Sequence, residues 1–244
     1  MGHVFSGLVA VGLTLGLMGQ AKADYDFTTF DVPGSNVTEA NGINASGQIV
    51  GYYYGAVSIH GFLLDVDGTY TTIDVPDSDL TYALGINDVG QIVGSYRDAI
   101  GTWHGFLLDV DGTYTTLDVP GARYQTLAYG INNAGQIVGS YPDGALREHG
   151  FLLDVDGTYT TIDVPGATNT YAYGINASGQ IVGSYAAMGG TRHGFLLDVD
   201  GSYTRIDVPG SPNTNALEIN ASGQIVGWYD GAGENTHGFL ATPQ

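Results

Sequence analysis

Five histidines recur at an almost constant interval and are the residues of this chain best suited to chemistry. They occur in the tripeptide His-Gly-Phe at His60, His104, His149, His193 and His237, with successive spacings of 44, 45, 44 and 44 residues. A tyrosine precedes each of them, at Tyr53, Tyr96, Tyr141, Tyr185 and Tyr229. An aromatic ring with a polar tip beside an imidazole is suited to sugar binding. These ten residues are the candidate ligand-binding surface. The alternatives are structural: histidines hydrogen-bonded between strand and loop, and tyrosines packed between repeats.

A second set of candidate residues is acidic. Four copies of Asp-Val-Asp-Gly place pairs of carboxylates at Asp65 and Asp67, Asp109 and Asp111, Asp154 and Asp156, and Asp198 and Asp200. Asp-Gly is a strong signal of a tight hairpin turn, so the first interpretation of these pairs is structural. Because calcium prefers carboxylate and carbonyl oxygens, the second is a weak calcium site. No other cofactor is expected.

Each copy also ends a strand with Asp-Val-Pro. The aspartates are Asp31, Asp74, Asp118, Asp163 and Asp207. Counting outward from a two-residue Asp67-Gly68 turn places Asp74 opposite Gly61 and next to His60. A carboxylate that orients the imidazole is therefore predicted once per copy, with simple strand termination as the alternative.

A catalytic reading depends on the few positions where the copies differ. Glu218 replaces a glycine found in the other four copies, and Glu39 occupies a predicted inner strand. Together they could form the carboxylate pair of a glycoside-acting enzyme. The sequence has no nucleophile motif and no phosphate-binding loop. The repeated histidines lie two strand spacings, each nearly 5 Å, from the innermost strand, so they cannot converge on one metal ion. We therefore expect no catalysis.

The elements that position these residues follow from the repeat. In each copy FLLDV and TYTTIDV flank Asp-Gly, which predicts a hairpin with a type I′ turn. YGIN and QIVGSY flank Asn-x-x-Gly, which predicts a type I turn with a bulge. Four short strands per 44 residues are typical of a propeller blade. The fold class is therefore all-β, a five-bladed β-propeller with tight turns on one face and longer loops on the other.

The chain ends predict how such a ring would close. The last copy stops before its outer strand, whereas an additional outer strand precedes the first copy. We expect residues 26–32 to pair antiparallel with residues 237–242, which would complete the fifth blade and cover two sheet edges.

The motifs GIN, GQIVG and His-x-Phe-Leu resemble the HAF repeats of probable extracellular bacterial proteins, and the resemblance covers residues 25–241. All five copies here read His-Gly-Phe where the family name implies His-Ala-Phe. The resemblance implies an exported β-repeat protein and supplies no catalytic residues.

Composition limits the partners. The chain has 25 acidic and six basic residues, a net charge of −19, and no cysteine. A surface this negative repels nucleic acids and anionic lipids, which favours neutral glycans or cations. Without cysteine, disulfides and thiolate metal sites are excluded.

The amino terminus differs from the repeats. Residues 1–23 contain an apolar run and an Ala-Lys-Ala end, which predicts a cleaved signal peptide followed by a single domain over residues 24–244. We therefore expect an exported monomer, periplasmic or extracellular, with no membrane contact after cleavage. Near-identical copies suit a multivalent binder of an extracellular carbohydrate or polymer. A passive structural protein and a calcium-assisted adhesion protein are the alternatives.

Overall fold

The fold was obtained as a computed structural model that describes residues 28–231 and 235–243 of the 244-residue chain. This part of the chain contains 19 β-strands and no helix. Accordingly, it offers no helical segment that could span a membrane. The predicted signal peptide, residues 1–23, lies outside the described residues.

The strands form five successive antiparallel units. The first strands of the units are β1 (Thr38–Ile43), β5 (Ser78–Ile86), β9 (Leu127–Ile131), β13 (Asn169–Ile175) and β17 (Thr214–Ile219). The second strands are β2 (Ile49–Tyr54), β6 (Ile92–Asp98), β10 (Ile137–Pro142), β14 (Ile181–Ala186) and β18 (Ile225–Asp230). The third strands are β3 (Ile59–Leu64), β7 (Trp103–Leu108), β11 (Glu148–Leu153), β15 (Arg192–Leu197) and β19 (Thr236–Ala241). The fourth strands are β4 (Tyr70–Ile73), β8 (Tyr114–Leu117), β12 (Tyr159–Ile162) and β16 (Tyr203–Ile206). Units one and two are joined into one sheet by a parallel bridge between Ile59 and Leu80.

The Asn-x-x-Gly turns are confirmed as type I turns with a bulge. In the first unit the N–H of Asn44 donates to the carbonyl oxygen of Gln48, and the N–H of Gly47 donates to that of Asn44. Gly47 has a φ of 89°, the left-handed conformation that a bulge requires.

The Asp-Gly turns differ from the prediction. A type I′ turn needs positive φ at both central residues, but among Asp67 and Gly68 only the glycine has it, at 85°. The Oδ1 atom of Asp67 accepts a hydrogen bond of 2.9 Å from the N–H of Thr69, which caps the turn. This turn therefore has the same bulged form as the other, and the register shifts by one residue. Ile73, not Asp74, lies opposite Gly61.

The hydrophobic core lies between neighbouring units. Four phenylalanines of the His-Gly-Phe tripeptides are at most 1% exposed: Phe62, Phe106, Phe151 and Phe195. One core cluster joins Val93 of the second unit to Ala128 and Phe151 of the third. Each unit is therefore stabilised chiefly by packing on the next, as expected for a repeat that cannot bury its own faces.

The glycine of each QIVG strand is required by close contact. The first strand of every unit carries a bulge opposite this glycine. A Cβ atom on Gly94 would lie 1.9 Å from the carbonyl oxygen of Tyr82 and 2.8 Å from the Cε1 atom of Phe106. No side chain fits at this position.

The first strands of all five units line one central cavity of about 430 Å³. Equivalent isoleucines from each unit face it: Ile43, Ile86, Ile131, Ile175 and Ile219. Buried asparagine side chains link successive units around one end of this cavity. The Nδ2 atom of Asn87, for example, donates to the carbonyl oxygen of Asn132 at 3.1 Å, and that of Asn132 donates to Asn176 at 3.1 Å.

The fifth and first units do not pack on each other as the other neighbours do. Val226 of the fifth unit is 45% exposed, whereas its equivalent Val182 is fully buried. On the other side Ile43 is 67% exposed, whereas Ile86 is 9% exposed. An apolar seam is therefore open between these two units.

The predicted closing strand is not found. Residues 28–32 are not in a strand, and residues 26 and 27 lie outside the described residues. The last sheet has three strands in the described part of the chain, β17, β18 and β19.

A physical reason for the open seam lies at Glu218. At the equivalent Gly130, a Cβ atom would be 2.7 Å from a carbonyl oxygen of the following unit, so glutamate prevents the same close approach.

Candidate functional site

The structure brings each predicted tyrosine and histidine together. The two residues lie directly opposite each other on the second and third strands of every unit. The ring centroids are 5.0 to 5.4 Å apart in all five pairs. The interplanar angle is 25° for Tyr96 and His104 and reaches 46° for Tyr185 and His193. Ligand binding by these pairs stays a prediction.

A carboxylate orients the imidazole in four units, because the one-residue register shift moves the aspartate next to the histidine. The Nδ1 atoms of His60, His104 and His149 each lie 2.8 Å from a carboxylate oxygen of Asp74, Asp118 and Asp163, and that of His193 lies 3.0 Å from Asp207. His237 has no such partner among residues 28–231 and 235–243.

The second ring nitrogen is also engaged in three units. The Nε2 atom of His149 lies 3.3 Å from a carboxylate oxygen of Asp143, and that of His104 has the same distance to Asp98. That of His193 lies 3.1 Å from the Oγ1 atom of Thr191. The N–H of Arg147 is the main cause that lowers the pKa of Asp143, with Ala145 and His149 adding to it. These histidines are therefore held in place by the protein, and their free capacity for a ligand is small.

The tyrosine hydroxyls contact threonines of the fourth strand. The distances between the two oxygen atoms are 3.3 Å for Tyr53 and Thr72, 3.0 Å for Tyr96 and Thr116, and 2.9 Å for Tyr141 and Thr161. In the fourth unit Arg205 replaces the threonine and contacts both Asp207 and His193.

The paired aspartates of the turns cap backbone N–H groups. Asp65 accepts a hydrogen bond from Val66 and Asp67 from Thr69, and the other three copies repeat this pattern. The hydrogen bonds from Thr69 lower the pKa of Asp67. Within the described ranges, no three acidic or histidine side chains are grouped as a metal site would require. Calcium binding at these turns stays a prediction.

The two glutamates proposed as a pair lie in different environments. Glu218 lines the central cavity. Glu39 instead accepts a hydrogen bond from the hydroxyl of Tyr52. Burial, followed by this bond to Glu39, raises the pKa of Tyr52. In the part of the chain that is described, no hydrogen bond or ion pair joins Glu39 to Glu218.

Glu218 should make stability depend on pH. The Glu218 side chain is accessible from the cavity, but desolvation by the surrounding protein raises its pKa from 4.5 to about 7. The N–H of Ile219 opposes this shift. Between these pH values the folded state binds more protons than the unfolded chain. The contribution of protonated Glu218 to the free energy of unfolding is therefore complete below pH 4.5 and is lost as the pH rises to 7. Glu218→Gln should therefore raise the melting temperature, relative to wild type, more at pH 8 than at pH 4.5. Solvent screening limits the effect to about 1 kcal/mol.

Thermal unfolding of both proteins at the two pH values measures this difference. An equal difference at pH 4.5 and pH 8 would contradict the assignment.

Sequence reasoning missed the residues that line the grooves between units. The residue just before each histidine is different in every copy: Ile59, Trp103, Glu148, Arg192 and Thr236. Three of these residues form parallel bridges to the segment that leads into the following unit. The bridges are Ile59 to Leu80, Trp103 to Gln125 and Arg192 to Asn213. The signal was available in the sequence as a variable loop that ends directly before the constant His-Gly-Phe motif.

The groove between the second and third units contains the tryptophan of this set. The ring centroids of Trp103 and Tyr82 are 5.7 Å apart, and the Arg97 guanidinium lies 6.0 Å from the centroid of the Trp103 ring. A cavity of about 230 Å³ is lined by Trp103, Tyr82 and Tyr129.

The next two grooves carry charge. Glu148 accepts a hydrogen bond of 3.1 Å from Gln125 through Oε1, and its buried Oε2 has no partner among the described residues. Burial raises the pKa of Glu148. In the following groove the Arg192 guanidinium lies 5.3 Å from the centroid of the Tyr171 ring.

No family model and no curated protein matches this chain. Solved structures do. TolB from Acinetobacter baumannii is 13% identical with a TM-score of 0.62, and the match covers 79% of this chain and 51% of that one, so this chain spans about half the length of TolB. The SapL1 lectin in complex with alpha methyl fucoside is 14% identical with a TM-score of 0.50, covering 84% and 76%. A putative gluconolactonase is 14% identical with a TM-score of 0.50, covering 86% and 80%.

These likenesses define the class of the fold. The chain has an all-β fold without helices in its described part, and its structural neighbours are β-propellers. Both lectins and enzymes occur among them, so fold alone does not select an activity.

Proposed function

We propose that this chain is a multivalent, non-catalytic carbohydrate-binding β-propeller of five blades. The observation that carries this proposal is the distribution of differences among the copies. HGFLLDVDG is identical in four of them, while the residue before the histidine, which lies in the groove between units, changes every time. The residue before the histidine ends a loop that varies in every copy, so the differences lie in loops and at the grooves beside them, where a rigid frame carries binding residues.

The grooves and the Tyr–His pairs both belong to the loop face of the units. The aromatic rings and free polar atoms of the grooves are suited to sugar rings and hydroxyls, whereas the Tyr–His pairs, whose ring nitrogens largely contact the protein, would contribute chiefly their ring faces. A propeller lectin with this fold holds a fucoside, which supports carbohydrate as the ligand class.

The number of blades and the location of the protein are part of the proposal. Five blades are supported by the five first strands around one cavity. Export and membership of the HAF-repeat family are supported by the sequence of residues 1–23 and by the repeated motifs. The acidic surface favours neutral glycans over anionic ones, and we propose a monomer.

A glycan array probed with the full chain tests the function. Each neutral glycan should be printed at low and high density beside its sialylated or sulfated counterpart. We expect signals on neutral glycans that rise more than proportionally with density, because several weak sites then engage together. Silence on every glycan, or binding confined to the anionic members, would contradict the proposal.

A further inference from the structure

We propose that the groove between the second and third units is a specific site for two linked neutral sugar rings, with Trp103 between its two subsites. This inference rests on the proposed function and deepens it. Two cavities, each of about 230 Å³, meet at Trp103 and Gln125, and both residues line both cavities. Each is smaller than the roughly 300–1,000 Å³ of sites for drug-sized ligands, and so fits one hexose ring.

The first cavity is suited to stacking. Trp103, Tyr82, Tyr129 and Leu127 give it an apolar wall, on which the C–H face of a pyranose ring can lie. Ser95 also lines it, is 3% exposed, and its Oγ atom has no hydrogen-bond partner among the described residues. Buried polar atoms are nearly always paired, so this oxygen is placed to bond a ligand hydroxyl.

The second cavity is suited to hydroxyl recognition. It is lined by Asp118, His104 and Thr126 beside Trp103. Of the two carboxylate oxygens of Asp118, only Oδ1 contacts the His104 imidazole, and the Asp118 side chain is 54% exposed. Its carboxylate can therefore accept hydrogen bonds from sugar hydroxyls. Asp98, 3.3 Å from His104, adds negative charge, which selects against anionic sugars.

The wall between the cavities is held rigidly. The N–H of Trp103 donates to the carbonyl oxygen of Tyr124 at 3.1 Å, and its carbonyl oxygen accepts from the N–H of Thr126 at 3.0 Å. Tyr124 lines the second cavity, is 61% exposed, and has a φ of 73°. A bulky residue in this left-handed conformation is strained, and such strain is concentrated at functional sites. A prepared site of this kind loses little entropy on binding.

The test compares Trp103→Ala with Trp228→Ala, which removes the only other tryptophan of the sequence, on β18 of the fifth unit. Binding to a neutral disaccharide found on the array is measured by calorimetry, with circular dichroism to confirm folding. We expect Trp103→Ala to weaken binding at this groove at least tenfold, which lowers the number of sites that calorimetry detects, and Trp228→Ala to leave the affinity of this groove within twofold. Trp103→Phe, which keeps an aromatic ring and is easier to accommodate, should lose less.

A second readout uses fluorescence. In Trp228→Phe, Trp103 is the sole tryptophan, and saturating disaccharide should change its emission. Unchanged affinity in both Trp103→Ala and Trp103→Phe, with unchanged Trp103 emission, would overturn the site while leaving the proposed function intact. Absence of any glycan binding by the wild type would overturn both.

Discussion

Gly94→Ala should prevent this chain from folding stably. The added Cβ atom would lie 1.9 Å from the carbonyl oxygen of Tyr82, well inside van der Waals contact, with the Phe106 ring 2.8 Å away. Neither neighbour can yield, because the first is backbone at a bulge and the second is fully buried. We expect a loss of about 4 kcal/mol or more, which is a large part of the stability of a typical domain.

The matched control is Gly112→Ala in the same unit. Gly112 has a φ of 85°, but a Cβ atom there would have no neighbour within 4 Å. The cost should therefore be only that of a left-handed alanine, about 1–2 kcal/mol. Urea unfolding followed by circular dichroism measures both variants. Equal losses for Gly94→Ala and Gly112→Ala would show that the close contact is not what requires glycine.

Asn132→Ala should cost about 3 kcal/mol. The Asn132 side chain is 4% exposed, and its Oδ1 atom accepts hydrogen bonds from the N–H groups of Ala134 and Gln136. Its Nδ2 atom donates to the side chain of Gln136 and, at 3.1 Å, to the carbonyl oxygen of Asn176 in the next unit. Alanine leaves these buried groups without partners and removes the link between units.

The chain contains its own control at Asn220. This residue makes the same bonds within its turn, to Ser222 and Gln224, but in the described residues it has no bond to a following unit and it is exposed. Asn220→Ala should therefore cost about 1 kcal/mol. Urea unfolding of the two variants isolates the contribution of the link. A smaller loss for Asn132→Ala than for Asn220→Ala would contradict the role assigned to it.

The order and pairing of the strands were predictable because the repeat fixes local patterns. Alternating residues and turn motifs such as Asn44 to Gly47 specify hairpins through contacts close in sequence. The turn at Asp67 was misjudged by one residue, because capping of Thr69 by the aspartate side chain favours the bulged form. That single shift placed Asp74 beside His60, so the pairing of the two was predicted correctly from a wrong register.

The grooves could not be predicted in the same way because each is built from two units. Trp103 on β7 and Tyr129 on β9 line the same cavity, although β8 separates them in sequence and they belong to different copies. Constant motifs drew attention to the histidines, whose nitrogens are largely occupied by the protein. Closure was overestimated because the effect of Glu218 depends on a contact between units, which a pattern within one copy does not reveal.

A crystal structure of the chain with a neutral disaccharide selected on the array tests the central claim most directly, namely that the grooves between units bind carbohydrate. We predict a sugar ring stacked on Trp103 with a hydroxyl bonded to Ser95, and its neighbour beside Asp118. Density for the sugar at the Asp65 and Asp67 turns, or in the central cavity beside Glu218, would contradict the account.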